Sequence, residues 1–152
     1  MHRLLASWFG AGLILGALRG NPSGSGTVGT LFALPLVLAV GLYFGVGGQI
    51  ALFVVVAVLS VWASASLVET EGDAPWIVAD EAAGISLALI GVASWPGVVV
   101  GFVVFRLADI FKGVFPGVAA ADRLGGAAGI TADDLVAGLY GLIAAHIVQA
   151  LV

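Results

Sequence analysis

The sequence predicts an all-α, multi-spanning membrane bundle of about five to six helices, with polar loops and helix ends on one face. Three observations predict it. The 152 residues are 61% hydrophobic and only 9% charged, with a mean hydropathy of +1.19. Soluble domains are about 25% charged, so this chain lacks the polar side chains to cover a water-facing surface of its size. Apolar runs of spanning length recur along it, and the charged residues fall between alternate runs rather than evenly. The length allows one domain.

In chain order, Met1 to Leu18 carries a basic residue at Arg3 followed by an apolar run. It resembles a signal peptide but has no small-residue cleavage site leading into a polar mature domain, so it is read as retained. It is short, and either spans or lies in the interface. Gly20 to Gly29 reads as a glycine-rich loop. Thr30 to Val46 and Ile50 to Val68 are spanning candidates, joined at the Gly45–Gly48 turn into an antiparallel hairpin. A polar stretch follows, with Glu69, Glu71, Asp73, Asp80 and Glu81. The run from Ala82 to Phe105 is interrupted by Ser94-Trp95-Pro96-Gly97, where the helix either kinks or turns back. The turn is preferred, giving helices over about Asp80–Val92 and Gly97–Phe111. Gly113 to Ala132 reads as a second glycine-rich loop, and the last helix as Asp133 to Val152.

With that turn, every acidic residue and Arg19, Arg106, Lys112 and Arg123 fall on one side, leaving out only Arg3. A straight span would put Arg106 and Lys112 opposite Asp80 and Glu81. Lysine and arginine favour the cytoplasmic side, so the charged face is expected there, in a cell inner membrane. The net charge of −4 argues against nucleic acid as a partner. The absence of cysteine excludes thiol catalysis and thiolate metal sites.

The acidic residues are the chemical signal. Asp80–Glu81 and Asp133–Asp134 are each expected at a helix start, where one acid is ordinarily a cap. Two adjacent acids at each exceed that need, although Thr131 and Asp133 could cap the last helix. Arg106, Asp109 and Lys112 are spaced by three and share a helix face. They form either a structural ion pair or a site in which carboxylates hold a cation while Arg106 and Lys112 meet an anion. Oxygen ligands without sulfur suit a hard ion, and magnesium is the natural choice. Gly24-Ser25-Gly26-Thr27-Val28-Gly29-Thr30 runs into a helix and could present backbone N–H groups to an anion, or be a plain turn. His2 and His146 are expected to have packing roles. Trp8, Trp62, Trp76 and Trp95 fit interfacial anchors.

Several short motifs share one order: Gly26-Thr27-Val28-Gly29-Thr30-Leu31; Ile77-Val78-Ala79-Asp80-Glu81-Ala82-Ala83-Gly84; Phe105-Arg106-Leu107-Ala108-Asp109-Ile110-Phe111-Lys112; Asp122-Arg123; Gly125-Gly126; and Gly129-Ile130-Thr131-Ala132-Asp133-Asp134-Leu135-Val136-Ala137-Gly138. In number, order and spacing they resemble the phosphatidylglycerophosphatase A family over nearly all the chain after residue 20. The chain departs from that pattern where the family has Lys-Pro-x-Pro after Lys112, proline at the position of Ser25, and serine at Thr30. The resemblance implies magnesium-dependent hydrolysis of phosphatidylglycerophosphate, a phospholipid, at the cytoplasmic leaflet. On this reading Asp80, Glu81, Asp109, Asp133 and Asp134 are metal ligands, with Asp80, Asp109, Arg106 and Lys112 catalytic. Gly26, Thr27, Arg106, Lys112 and Arg123 would bind substrate. Other phosphatase chemistries lack their residues. There is no Asp-x-Asp-x-Thr, and Pro22-Ser23-Gly24 is similar to a histidine-dependent lipid-phosphatase motif except that Ser25 replaces the histidine. The rivals are a small cation-binding transporter and a non-catalytic membrane subunit. A phosphoalcohol transferase would need an Asp-Gly-x-x-Ala-Arg signature, which is absent.

Overall fold

A computed structural model describes residues 1–72 and 74–152; Asp73, part of the expected polar stretch, lies outside the described residues. The described residues form helices and connections with no strand. They comprise α1 (His2–Ala6), a 3-10 turn at Ala11–Leu13, α2 (Ile14–Arg19), α3 (Ser25–Glu71), α4 (Ala79–Ala88), α5 (Trp95–Ile110), α6 (Val118–Asp122) and α7 (Gly126–Leu151).

Among the described residues, only α3 and α7 are long and apolar enough to cross a membrane, fewer than the sequence suggested. The reason is length. The 10 residues of α4 cover about 15 Å and the 16 of α5 about 24 Å, against a hydrocarbon core of about 30 Å. The N-terminal segment is three short pieces, none of spanning length.

At 47 residues α3 would be about 70 Å long if straight. It bends at Gly45, whose φ of 63° and ψ of −161° are open to glycine and closed to most other residues. The chain then returns. Thr30 on the outgoing arm meets Arg106, Gln49 just past the bend reaches Leu89, and Ser60 on the returning arm meets Thr131. The expected hairpin is therefore present, with its bend inside the expected turn.

α4 is the central element. Eight of its residues are buried, and it packs against α3 and α7, with α5 also in contact. Small residues allow this closeness, as helix pairs in lipid commonly require. A Cβ on Gly138 would lie 2.6 Å from the Gly84 carbonyl oxygen, and one on Gly141 2.8 Å from that of Gly101. Phe105, Ile85 and Leu89 fill the spaces left between them.

The chain turns back between α4 and α5, as expected. Ser94 caps α5 by accepting the Gly97 N–H at 3.2 Å, and Pro96 sits in the first turn, where its missing donor costs nothing. The turn leaves backbone groups that must find partners. Gln49 donates to the Leu89 carbonyl at 3.0 Å and accepts from the Gly91 N–H at 2.8 Å. Gln149 accepts from Ser94 N–H and donates to the Gly91 carbonyl, both at 3.1 Å. His146 Nε2 bonds the Ile90 carbonyl at 2.8 Å, which gives that histidine the packing role expected of it.

Two expected boundaries are wrong. α7 begins at Gly126 rather than Asp133, so Asp133 and Asp134 stand roughly two turns inside a helix, not at its start. Neither they nor Thr131 cap it. α3 begins at Ser25 rather than Thr30, and α6 lies within the expected second loop. Some of the glycines read as loop formers are packing sites within helices. A Cβ on Gly29 would lie 2.6 Å from Val78 Cβ, and one on Gly129 3.2 Å from the Leu124 backbone.

Candidate active site

The turn between α4 and α5 and the bend of α3 bring α3, α4, α5 and α7 together at one end with their polar positions facing one another. The result is a cleft of about 450 Å³ lined by Gly26 and Thr27 from α3, Asp80 and Glu81 from α4, Arg106 and Asp109 from α5, Lys112, and Asp133 and Asp134 from α7. Nine of the ten expected site residues are thus assembled. Arg123 is the exception: it is exposed at the end of α6 and does not line the cleft. Ser25, Pro22, Pro75, Ile77, Ile110 and Ile130 also line it. Of these, Pro75, Ile77, Ile110 and Ile130 are apolar and were not singled out as site residues in the sequence.

The five acids divide into two sorts. Asp109 Oδ2 accepts a charge-assisted bond from Arg106 Nη1 at 2.7 Å, the expected pairing within one helix face. Asp133 takes the Lys112 ammonium, which also bonds Asp122 Oδ1 at 3.0 Å. Burial works to lower the Lys112 pKa, but the bonds to Asp133 and Asp122 outweigh it and hold the ammonium well above its usual range. The bond from Lys112 in turn holds the Asp122 carboxyl below its usual range. Lys112 thus clamps α7 and α6 beyond the end of α5.

Asp80, Glu81 and Asp134 are different. Each can offer an oxygen within 4.8 Å of the other two. Glu81 Oε2 and Asp134 Oδ1 are buried and have no hydrogen-bond partner. Arg106 Nη1 stands 4.0 Å from Glu81 Oε1. Orphaned carboxylate oxygens in a buried cluster are costly unless a cation satisfies them. An all-oxygen donor set of this kind fits a hard divalent ion such as magnesium. The fit is to three of the five expected ligands, since Asp109 and Asp133 are occupied by Arg106 and Lys112.

Arg106 is only 8% exposed and lies between these groups. Its Nη1 also donates to Thr30 Oγ1 at 3.4 Å, and that hydroxyl donates to the Gly26 carbonyl at 2.8 Å. Gly26 has no side chain because none would fit. A Cβ there would lie 2.1 Å from Glu81 Oε1 and 3.0 Å from Arg106 Nη2. Gly26→Ala is expected to displace both groups, with a stability loss of about 1–3 kcal/mol. An unchanged thermal midpoint in that variant would show that the cleft can take a side chain at Gly26.

Compared with known proteins, residues 4–149 match the family model described as "Phosphatidylglycerophosphatase A". A protein of Bacteroides thetaiotaomicron, named "Putative phosphatidylinositol-3-phosphatase", is 29% identical, over 92% of this chain and 88% of its own. No solved structure matches.

Proposed function

The chain belongs to the phosphatidylglycerophosphatase A family, a family of phosphatases, and on that premise we propose that it is a membrane-embedded, magnesium-dependent phosphomonoesterase. Its substrate is phosphatidylglycerophosphate, its products phosphatidylglycerol and inorganic phosphate, and its site faces the cytoplasm. The observation that carries this reading is the buried Asp80–Glu81–Asp134 group, with two orphaned oxygens, beside a buried arginine in one cleft.

The lipid substrate explains the rest of the surface. Leu42, Phe44, Val54, Val58 and Ile147 are exposed along the two helices able to span, as lipid-facing residues are.

Asp80, Glu81 and Asp134 would hold magnesium, which would supply positive charge against the phosphoryl group and acidify water. Arg106 binds a phosphoryl oxygen and is itself held in place by Asp109 and Thr30, so little reorganisation is needed as charge shifts in the transition state. The backbone of Gly26 and Thr27 at the start of α3 faces the same cleft and favours an anion there. Water attacks phosphorus as the bond to the glycerol oxygen breaks, and a cluster carboxylate takes the water's proton and passes it to that departing oxygen. Lys112 holds Asp133 and keeps α7 in register with α5.

The test is phosphate release by purified, detergent-solubilised protein, with magnesium and with excess chelator. Phosphatidylglycerophosphate and phosphatidylinositol 3-phosphate are supplied in parallel. The expected result is turnover of the first that chelation abolishes and magnesium restores. Turnover of the inositol lipid alone would keep the chemistry and change the substrate. No turnover of either by folded protein would return the site to a structural or cation-binding role.

A further inference from the structure

We propose that residues 1–19 form an interfacial anchor that lies in the head-group region of the bilayer at the rim of the cleft. α1, the 3-10 turn and α2 have 5, 3 and 6 residues, so the segment cannot span, yet it leads directly into α3, which can.

One side of the segment is tied to the site end of the protein. The Ala6 carbonyl accepts the Val78 N–H at 2.8 Å, just before Asp80. The Arg3 guanidinium lies 4.8 Å from the centre of the Trp76 ring, and the His2 ring stacks on Trp62 at 4.3 Å. Ala6 is buried with Ala63 and Ile77. Arg3, the one charge that the sequence pattern left out, thus joins the others at the polar end.

Large apolar side chains of the same segment are uncovered: Leu4, Phe9, Leu13 and Leu18 are exposed, Phe9 by 64%. Phe9 and its neighbour Trp8 both have positive φ, 57° and 48°. Non-glycine residues rarely adopt this conformation and it costs about 1 kcal/mol or more each, so its persistence at an exposed phenylalanine needs a compensating contact.

Charge identifies the partner. The segment contains Arg3 and Arg19 and no acidic residue, a charge of +2 on a chain whose net is −4. A basic segment with an exposed leucine and phenylalanine face suits a surface of anionic phospholipid. Attached to the first helix able to span and to the loop leading to Asp80, it sits at the level where that surface lies.

The chain has no cysteine, so single cysteines can be placed without background. Phe9→Cys and Leu18→Cys, each labelled with an environment-sensitive fluorophore, would be reconstituted in vesicles of phosphatidylethanolamine and phosphatidylglycerol. Gly113→Cys, on the exposed polar end, is the aqueous reference, and Val54→Cys, on the returning arm of α3, the lipid reference. Nitroxide-labelled phospholipid should quench the probes at 9 and 18 as it does that at 54, with iodide quenching several-fold below that at 113. The proposal is overturned if iodide reaches 9 and 18 as freely as 113. It is equally overturned if neither quencher reaches them, since a second copy or another part of the chain would then cover this face.

Discussion

Asp134→Asn is expected to cut turnover by orders of magnitude while raising the thermal midpoint of the metal-free protein. The amide keeps the shape of the side chain and removes one of three clustered negative charges. Asp134 is 3% exposed, and its unsatisfied Oδ1 has no bond to lose. Two unit charges 4.8 Å apart repel by about 3 kcal/mol at an effective dielectric of 20, so their separation matters to folding as well as to binding. Turnover should fall by about 100-fold to 1000-fold, a loss of the size seen when one preorganised electrostatic group is removed. The midpoint in excess chelator should rise by several degrees, and the further rise that magnesium gives the unaltered protein should shrink. Paired phosphate-release and melting measurements decide the matter. Near-normal turnover would remove Asp134 from the site, and a lower midpoint in chelator would mean its carboxylate is satisfied in some other way.

The second large effect falls on Arg106. Arg106→Met leaves Asp109 without its 2.7 Å partner, at a side-chain exposure of only 15%. Breaking a buried ion pair from one side costs about 3–5 kcal/mol, mostly from the charge left behind. Activity should fall by about 100-fold or more, because the same guanidinium meets the phosphoryl group. The two losses separate in the double variant Arg106→Met with Asp109→Asn, which should recover most of the stability and none of the turnover. Arg106→Lys is expected to stay impaired, since one ammonium cannot reproduce a planar fork that serves Asp109 and Thr30 together. Recovery of turnover in the double variant would assign Arg106 a structural role only.

Much of this site was legible because charge is scarce. Each acid inside an apolar chain had to be explained, and their falling on one side was a reason to prefer the turn at Trp95–Pro96. What was not legible was the meaning of glycine. Gly26, Gly29 and Gly129 read as loop formers because local preference disfavours glycine in helices by about 1 kcal/mol. In the fold they are helical, placed where Glu81, Val78 and the Leu124 backbone come too close for a side chain. That displaced the starts of α3 and α7 and made caps of Asp133 and Asp134, which are interior residues. The split between the three clustered carboxylates and the two ion-paired ones was legible only for Asp109, and the pairing of Asp133 with Lys112 was hidden. It depends on which side chains Arg106 and Lys112 reach across helices, and sequence spacing gives only the partner at i+3.

The turn between α4 and α5 also fixes an order of events in the making of the protein. Its backbone groups are satisfied by Gln49, which emerges from the ribosome before the turn, and by His146 and Gln149, which emerge some fifty residues after it. Until α7 is synthesised, two of those three partners do not exist, and an unsatisfied turn is unwelcome in lipid. α4 and α5 can therefore settle only once the last helix arrives. A nascent chain halted before residue 146 should leave that turn accessible to aqueous reagents, and release of the finished chain should close it.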